Sequence, residues 1–134
     1  MGLKMKDISI RRIKPTLPDI PVKELVDIIK HWNTAWEFDA SIRIYDEGIA
    51  QYLLTDMLSH LKFYAALCLD KPSLKCSLVP EEEAPIDLLE ENYENHLSIV
   101  YNSINDNYEK QLIEKLKHTM SKRGFRFTET EPQS

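Results

Sequence analysis

The sequence predicts a mainly α-helical single domain with a four-helix, bundle-like fold. Two observations carry this prediction. The chain has 134 residues, 43% of them hydrophobic and 29% charged, which is ordinary for one globular domain. Long stretches also place apolar residues three and four apart, the spacing of an amphipathic helix. A small sheet made from short N-terminal, middle and C-terminal strands is left open. We expect one domain over residues 1–134, with an extended segment at 1–20 and a loose tail at 128–134.

The N-terminal part is predicted to be extended before the first helix. Residues 8–15 alternate apolar and polar side chains, which indicates a short strand. Residues 15–21 contain three prolines, which favour an extended connector. Pro21 suits the first turn of a helix, and an apolar stripe follows it. The first helix is therefore predicted at residues 21–36.

The next segment is ambiguous at its beginning and strongly helical after it. Residues 37–48 fit either a helix capped by Asp39 or an alternating strand over 41–45. We favour the helix, bent near Gly48. Residues 49–69 carry a wide apolar face, which predicts a central and well-buried helix.

A connector and a third helix are predicted after this central helix. Residues 70–85 read as a connector in which 74–78 alternate like a second short strand. Pro85 suits a helix start. Apolar residues then recur three and four apart up to position 104, so we predict a third helix at 85–102.

The C-terminal part is predicted to be a fourth helix at residues 107–123. Lys122 and Arg123 suit its C-terminus, and Gly124 is the expected stop. Residues 125–129 follow as a third short strand, with Phe125 and Phe127 on one face.

No feature of the sequence announces an enzyme, a cofactor or a membrane protein. Residues 63–69 form the longest apolar run, which is too short for a bilayer, and the N-terminus lacks a signal-peptide pattern. Cys68 and Cys76 match no zinc motif. A glycine-rich phosphate loop and the common hydrolase and metalloprotease motifs are absent from the sequence. We therefore expect a cytoplasmic protein without a cofactor.

Charge is segregated along the chain. The net charge is −5, yet residues 1–14 and 110–134 together carry +7, and residues 15–109 carry −12. If the first and last strands pair, their basic side chains would form one patch able to hold phosphate, nucleic acid or an acidic protein. They could also pair with the acidic middle of the same molecule. The candidate basic patch is Arg11, Arg12, Lys122, Arg123 and Arg126.

The acidic middle contains a second candidate surface. Residues 80–94 contain no basic residue, and several acids fall on one face of the predicted third helix. Like charges one turn apart cost stability, so this face suggests a docking surface for a basic partner. The candidate residues are Glu81, Glu82, Glu83, Asp87, Glu90, Glu91 and Glu94.

Histidines are the remaining candidates for chemistry. His31 and His118 lie on the polar faces of their predicted helices, one turn after an acid, which is ordinary helix surface. His60 and His96 lie nearer the buried faces and, with Asp56, are weak candidates for metal ligands. A carboxylate-bridged metal bundle needs Glu-x-x-His pairs, and the sequence has none. We therefore predict no metal.

The sequence favours a small, non-catalytic protein-binding module, such as a regulator, adaptor or inhibitor, that uses the acidic face. Its partner would be a protein with a basic surface. The alternative is a nucleic-acid-associated protein that uses the basic ends, and a metal-dependent helical-bundle enzyme is the second alternative. Contact with a membrane is not expected, and the oligomeric state is left open.

Overall fold

The computed structural model describes residues 5–31, 42–49, 51–85, 95–101 and 107–130. Within these ranges the chain forms an α/β fold of three helices and eight strands. The helices are α1 (Val22–His31), α2 (Met57–Cys68) and α3 (Asn107–Ser121). The strands are β1 (Met5–Ser9), β2 (Ile13–Lys14), β3 (Asp19–Pro21), β4 (Ile42–Asp46), β5 (Tyr52–Leu54), β6 (Ser73–Leu78), β7 (His96–Val100) and β8 (Arg126–Thr130).

The predicted four-helix bundle is wrong, because the strands form two sheets. The first is a mixed, five-stranded sheet in the order β1-β6-β4-β5-β2, and the second is a parallel sheet in the order β3-β7-β8. In the first, β1 runs antiparallel to β6, with Ile8 opposite Leu74. In the second, β7 pairs with β3 on one side and with β8 on the other. The N-terminal and middle strands thus share a sheet, whereas the C-terminal strand belongs to the other.

Burial explains where the helix prediction failed. Tyr52, Leu53 and Leu54 are all buried, so β5 has no exposed face. Its sequence is therefore continuously apolar, without the alternation that marks a strand, and it fits the apolar face of a helix equally well. In β7, Leu97 and Ile99 are buried and their neighbours are half-buried, which is a period of two. The helices predicted at 37–48 and 85–102 are therefore wrong wherever the chain is described. Residues 32–41, 50, 86–94 and 102 of the predicted helical segments lie outside the described ranges.

The central helix is shorter than predicted and almost wholly buried. Asp56 caps α2, since its Oδ1 accepts a hydrogen bond from the backbone N–H of Ser59 at 2.7 Å. Every residue from Ser59 to Cys68 is buried. The helix packs against α1, α3 and β4, which places the core between the helices and the first sheet.

The last helix and the turn after it position the C-terminal strand. Ile113, Leu116 and Met120 bury one face of α3. Gly124 then adopts φ +90°, a conformation that favours glycine, and the chain turns into β8. Within the described ranges, no helix combines the length and the apolar composition needed to cross a membrane.

Candidate anion-binding site

A cavity of about 310 Å³ lies where segments from both ends of the chain meet the turn between β4 and β5. We call it the basic pocket. Its residues come from the 3₁₀ turn Ile10–Arg12, from β2, from the β4–β5 turn, from the residue before β7 and from the α3–β8 turn. They are Arg11, Arg12, Lys14, Ile49, Gln51, Asn95, Arg123 and Phe125.

The N-terminal wall of the basic pocket is a 3₁₀ turn held between two strands. The Ile10 N–H donates to the carbonyl of Pro72 at 3.0 Å, and β2 pairs with β5 through Ile13 opposite Tyr52. Ile13 is fully buried, whereas Arg11 is exposed. Burial of the isoleucines therefore holds the turn and leaves the basic side chains beside the cavity.

Arg123 joins the C-terminal part of the chain to this wall. Its Nη2 donates to the Ile13 carbonyl at 2.5 Å and to the Arg11 carbonyl at 3.3 Å. Its guanidinium also lies 5.6 Å from the centre of the Phe63 ring. Burial lowers the pKa of Arg123 from its ordinary value, although an arginine remains protonated at neutral pH. The side chain thus braces the pocket and adds a positive charge to it.

Arg12 is held by an aromatic side chain. Its guanidinium carbon lies 5.4 Å from the centre of the Tyr52 ring, a cation–π distance. Tyr52 is buried in β5, so the surface on which Arg12 rests is fixed. A guanidinium held in this way loses little side-chain freedom when it binds a ligand.

Four of the eight described lining residues of the basic pocket are neutral, and we call these four the neutral wall. Gln51 and Asn95 contribute amide groups, and Phe125 and Ile49 contribute apolar surface. Asn95 adopts φ +54°, which asparagine tolerates, and its carbonyl accepts from the Arg126 N–H at 2.9 Å. Its side-chain Oδ1 is buried without a hydrogen-bond partner. This wall can therefore contact uncharged parts of a ligand.

The basic pocket concentrates positive charge in an acidic protein. Among the residues that the structure describes, eight line the basic pocket; four of these are basic and none is acidic, while the whole chain carries −5. Cations gathered in a concave, partly desolvated site repel one another and raise the local potential. An anion relieves this repulsion, and arginines can bind phosphate or carboxylate oxygens in pairs.

The predicted basic patch is only partly brought together. Arg11, Arg12 and Arg123 line the cavity, whereas Lys122 and Arg126 are exposed and are not among its lining residues. The two ends of the chain also come together in a different way from the one expected. The first and last strands belong to different sheets, and the Arg123 side chain connects the two ends instead.

The acidic candidates lie in a separate part of the fold, as far as the structure describes them. Glu81, Glu82 and Glu83 form a 3₁₀ turn after β6, and all three are exposed. Glu83 pairs with Arg43 at 2.5 Å. The remaining candidates, Asp87, Glu90, Glu91 and Glu94, lie outside the described residues.

His60 links the N-terminal end of α2 to the proline-rich connector through its two ring nitrogens. Its Nδ1–H donates to the carbonyl of Asp56 at 2.6 Å, which leaves Nε2 as an acceptor. Nε2 accepts from the N–H groups of Thr16 at 2.8 Å and Leu17 at 2.9 Å. Burial lowers the pKa of His60 to about 4, against the opposing effect of Asp56. His60 is therefore neutral at pH 7, and its Nε2 lone pair is engaged.

The other metal candidates have different contacts. Asp56 caps α2, and His96 on β7 hydrogen-bonds through Nε2 to the hydroxyl of Thr128. In the part of the chain that the structure describes, His, Cys, Asp and Glu side chains form no group of three that could hold a metal ion.

The two cysteines are buried and free. Burial raises the pKa of the Cys68 thiol and that of the Cys76 thiol to about 12. Both thiols are therefore protonated at neutral pH, whereas a nucleophilic cysteine needs its thiolate.

Five of the eight described lining residues of the basic pocket were not in the predicted patch. Lys14 was counted among the basic end but not placed in the patch. Gln51 and Asn95 have ordinary polar side chains, and no spacing marks them. Phe125 was seen only as part of a strand. Asn95 had a faint signal, because an asparagine before an alternating strand suits a turn with positive φ.

Comparisons with known proteins do not identify a family. No protein-family model matches this sequence, and no curated protein sequence matches it.

Among solved structures, the chain is similar to a conserved hypothetical protein from Pyrococcus furiosus, with a TM-score of 0.49 and 18% identity over 59% of this chain and 33% of that one. It is also similar to the C-terminally truncated chromosome-partitioning protein ParB from Caulobacter crescentus, complexed with CTP-γ-S. That TM-score is 0.48, with 12% identity over 89% of this chain and 65% of that one. The chain thus spans less than two thirds of either protein, and with TM-scores below 0.5 neither similarity indicates what it binds.

Proposed function

We propose that this protein is a non-catalytic binding module that takes a small anion, of the phosphate class, in the basic pocket. One observation carries the proposal: basic side chains from both ends of an acidic chain line one cavity, and none of its described lining residues is acidic. Such an arrangement opposes its own folding by charge repulsion, so a bound anion would offset that cost.

The residues around the cavity divide into two roles. Arg12 and Arg123 are held by the Tyr52 ring and by backbone carbonyls, so they shape the wall and its potential. Arg11, which is exposed, and Lys14, which is half-buried, would contact the anion directly; Arg12 is also exposed, but its guanidinium already rests on the Tyr52 ring. A hydrogen bond to a charged group contributes about 1.5–3 kcal/mol, so two such contacts correspond to a dissociation constant between roughly 40 µM and roughly 6 mM.

Size favours a small ligand over a nucleic acid. The volume of about 310 Å³ lies at the lower end of small-molecule pockets, which run from about 300 to 1,000 Å³. Nucleic-acid binding needs a basic surface that follows several phosphates. Lys122 and Arg126 would have to extend this surface, and they are not among the residues that line the cavity. Docking of a basic protein partner on the acidic segment stays a prediction.

Calorimetric titration with pyrophosphate at about 150 mM salt tests the proposal, because salt at this level screens distant charges. The informative variant is Arg11→Gln with Lys14→Gln. The matched control is Lys6→Gln with Lys75→Gln, which removes the same charge from exposed positions on β1 and β6.

We expect the wild type and the control to bind within about twofold of each other, and the pocket variant to bind at least about tenfold more weakly. Equal weakening of both variants would mean that only the net charge matters. Absence of binding to the wild type at about 10 mM ligand would also overturn the proposal.

A further inference from the structure

We infer that the ligand of the basic pocket is a phosphate ester that carries a hydroxyl group close to its phosphate, as polyol phosphates do. This inference rests on the proposed function and narrows its ligand class. Its basis is the neutral wall of the pocket, which a bare phosphate would leave unused.

Asn95 supplies the main observation. It lines the basic pocket, and its Oδ1 is a buried acceptor without a hydrogen-bond partner among the residues that the structure describes. Its backbone is fixed, because its carbonyl accepts from the Arg126 N–H and the next residue begins β7. Leaving a buried acceptor unpaired costs free energy. A ligand that donates a hydrogen bond to Oδ1 would therefore bind more tightly than one that does not.

The phosphate group of an ester is a poor partner for Oδ1. With a second pKa of about 6 it is chiefly a dianion at neutral pH, so its oxygens are acceptors, as is Oδ1, and two acceptors repel. A hydroxyl group can donate to Oδ1 and still accept from a neighbouring donor. The terminal torsion of asparagine is broad, so the amide can turn its oxygen towards the cavity while the backbone stays in place.

The rest of the neutral wall suits the carbon skeleton of such a ligand. Phe125 and Ile49 offer apolar surface, and the Gln51 amide can both donate and accept. The basic side chains line the same cavity. A ligand with an anionic group and a hydroxyl-bearing chain can therefore contact both kinds of side chain, whereas a bare anion would contact chiefly the basic ones.

A matched pair of esters tests the inference on the wild type alone. Glycerol 3-phosphate and propyl phosphate have the same number of carbons and the same charge, but only the first carries hydroxyl groups. A neutral hydrogen bond corresponds to roughly a two- to tenfold change in affinity, so we expect glycerol 3-phosphate to bind about fivefold more tightly.

The variant Asn95→Gly assigns this preference to Asn95. Glycine adopts positive φ freely, so the backbone at this position can persist without the amide. We expect the variant to lose most of the preference for glycerol 3-phosphate over propyl phosphate, measured as the ratio of the two dissociation constants. Circular dichroism would establish that the variant is folded. If it does not fold, the comparison of the two esters on the wild type still tests the inference.

The outcomes separate the two claims. If neither ester binds, the proposed function fails. If both bind with equal affinity, the proposed function stands and this inference fails. A preference that survives intact in folded Asn95→Gly would also overturn the inference, because the hydroxyl group would then contact another residue.

Discussion

Nη2 of Arg123 donates a hydrogen bond to the carbonyl of Ile13 at 2.5 Å, although the two residues are 110 positions apart. The bond joins the turn after α3 to the start of β2. It links two segments that belong to different sheets, and the basic pocket lies where they meet. The Arg123 side chain thus holds basic residues from both ends of the chain beside the same cavity.

Replacing Arg123 by methionine should destabilise the protein. The change removes hydrogen bonds from a charged group to two carbonyls, and each such bond contributes about 1.5–3 kcal/mol. Urea unfolding would measure the loss. As a control, Lys122→Met changes an exposed neighbour and should alter the free energy of unfolding by less than about 0.5 kcal/mol. Equal effects of the two changes would contradict the bracing role of Arg123.

Stability should fall as the pH drops from about 6.5 to about 4 because of His60. Its pKa is about 4 in the folded protein and 6.5 as the ordinary value, so below pH 6.5 the unfolded chain binds a proton that the folded chain does not. The contribution of His60 to the free energy of unfolding is complete at pH values well above 6.5. Its loss down to pH 4 amounts to about 3 kcal/mol.

Urea unfolding at several pH values would test this account with two variants. His60→Gln should flatten the dependence in that window, although it also weakens the fold through the contacts with Thr16 and Leu17. His118→Gln, at an exposed position, should retain the wild-type slope. A slope that is unchanged in His60→Gln would assign the acid sensitivity to other groups.

Tyr64→Phe should leave stability unchanged or raise it by about 1 kcal/mol. Tyr64 is fully buried, and its hydroxyl group has no hydrogen-bond partner in the structure. Burial accordingly raises its pKa above the ordinary value. Thermal unfolding would compare the variant with the wild type. A loss of more than about 1 kcal/mol would show that the hydroxyl group is paired in solution.

The two thiols should be unreactive in the folded protein. Both are buried with a raised pKa, so little thiolate forms and a reagent has no access. An aromatic disulfide reagent at pH near 8 should label neither cysteine in buffer and both in concentrated urea. Rapid labelling of either one in buffer would contradict its burial.

The sequence predicted the C-terminal part well and the middle poorly, for physical reasons. The last helix and its glycine stop were predicted because one face of α3 is buried and the other is solvated, so the period is clear. In β5, all three residues are buried, and burial on both faces erases the alternation that marks a strand. The fold class was wrong as a result, since the missing strands β4, β5 and β7 are interior strands of the two sheets.

For the pocket, composition identified the charges but not the neutral residues. Arg11, Arg12 and Arg123 stood out because basic residues cluster at both ends of an acidic chain. Gln51 and Asn95 reach the same cavity only through long-range strand pairing. A single sequence carries no periodic signal of such pairing.

The most direct test of the basic pocket is a titration with glycerol 3-phosphate followed by backbone amide nuclear magnetic resonance. The account predicts saturable shifts at the 3₁₀ turn Ile10–Arg12 and at Lys14, Gln51, Asn95 and Phe125, and none at the acidic turn Glu81–Glu83. Saturable shifts centred elsewhere, or no shifts up to about 10 mM ligand, would contradict it.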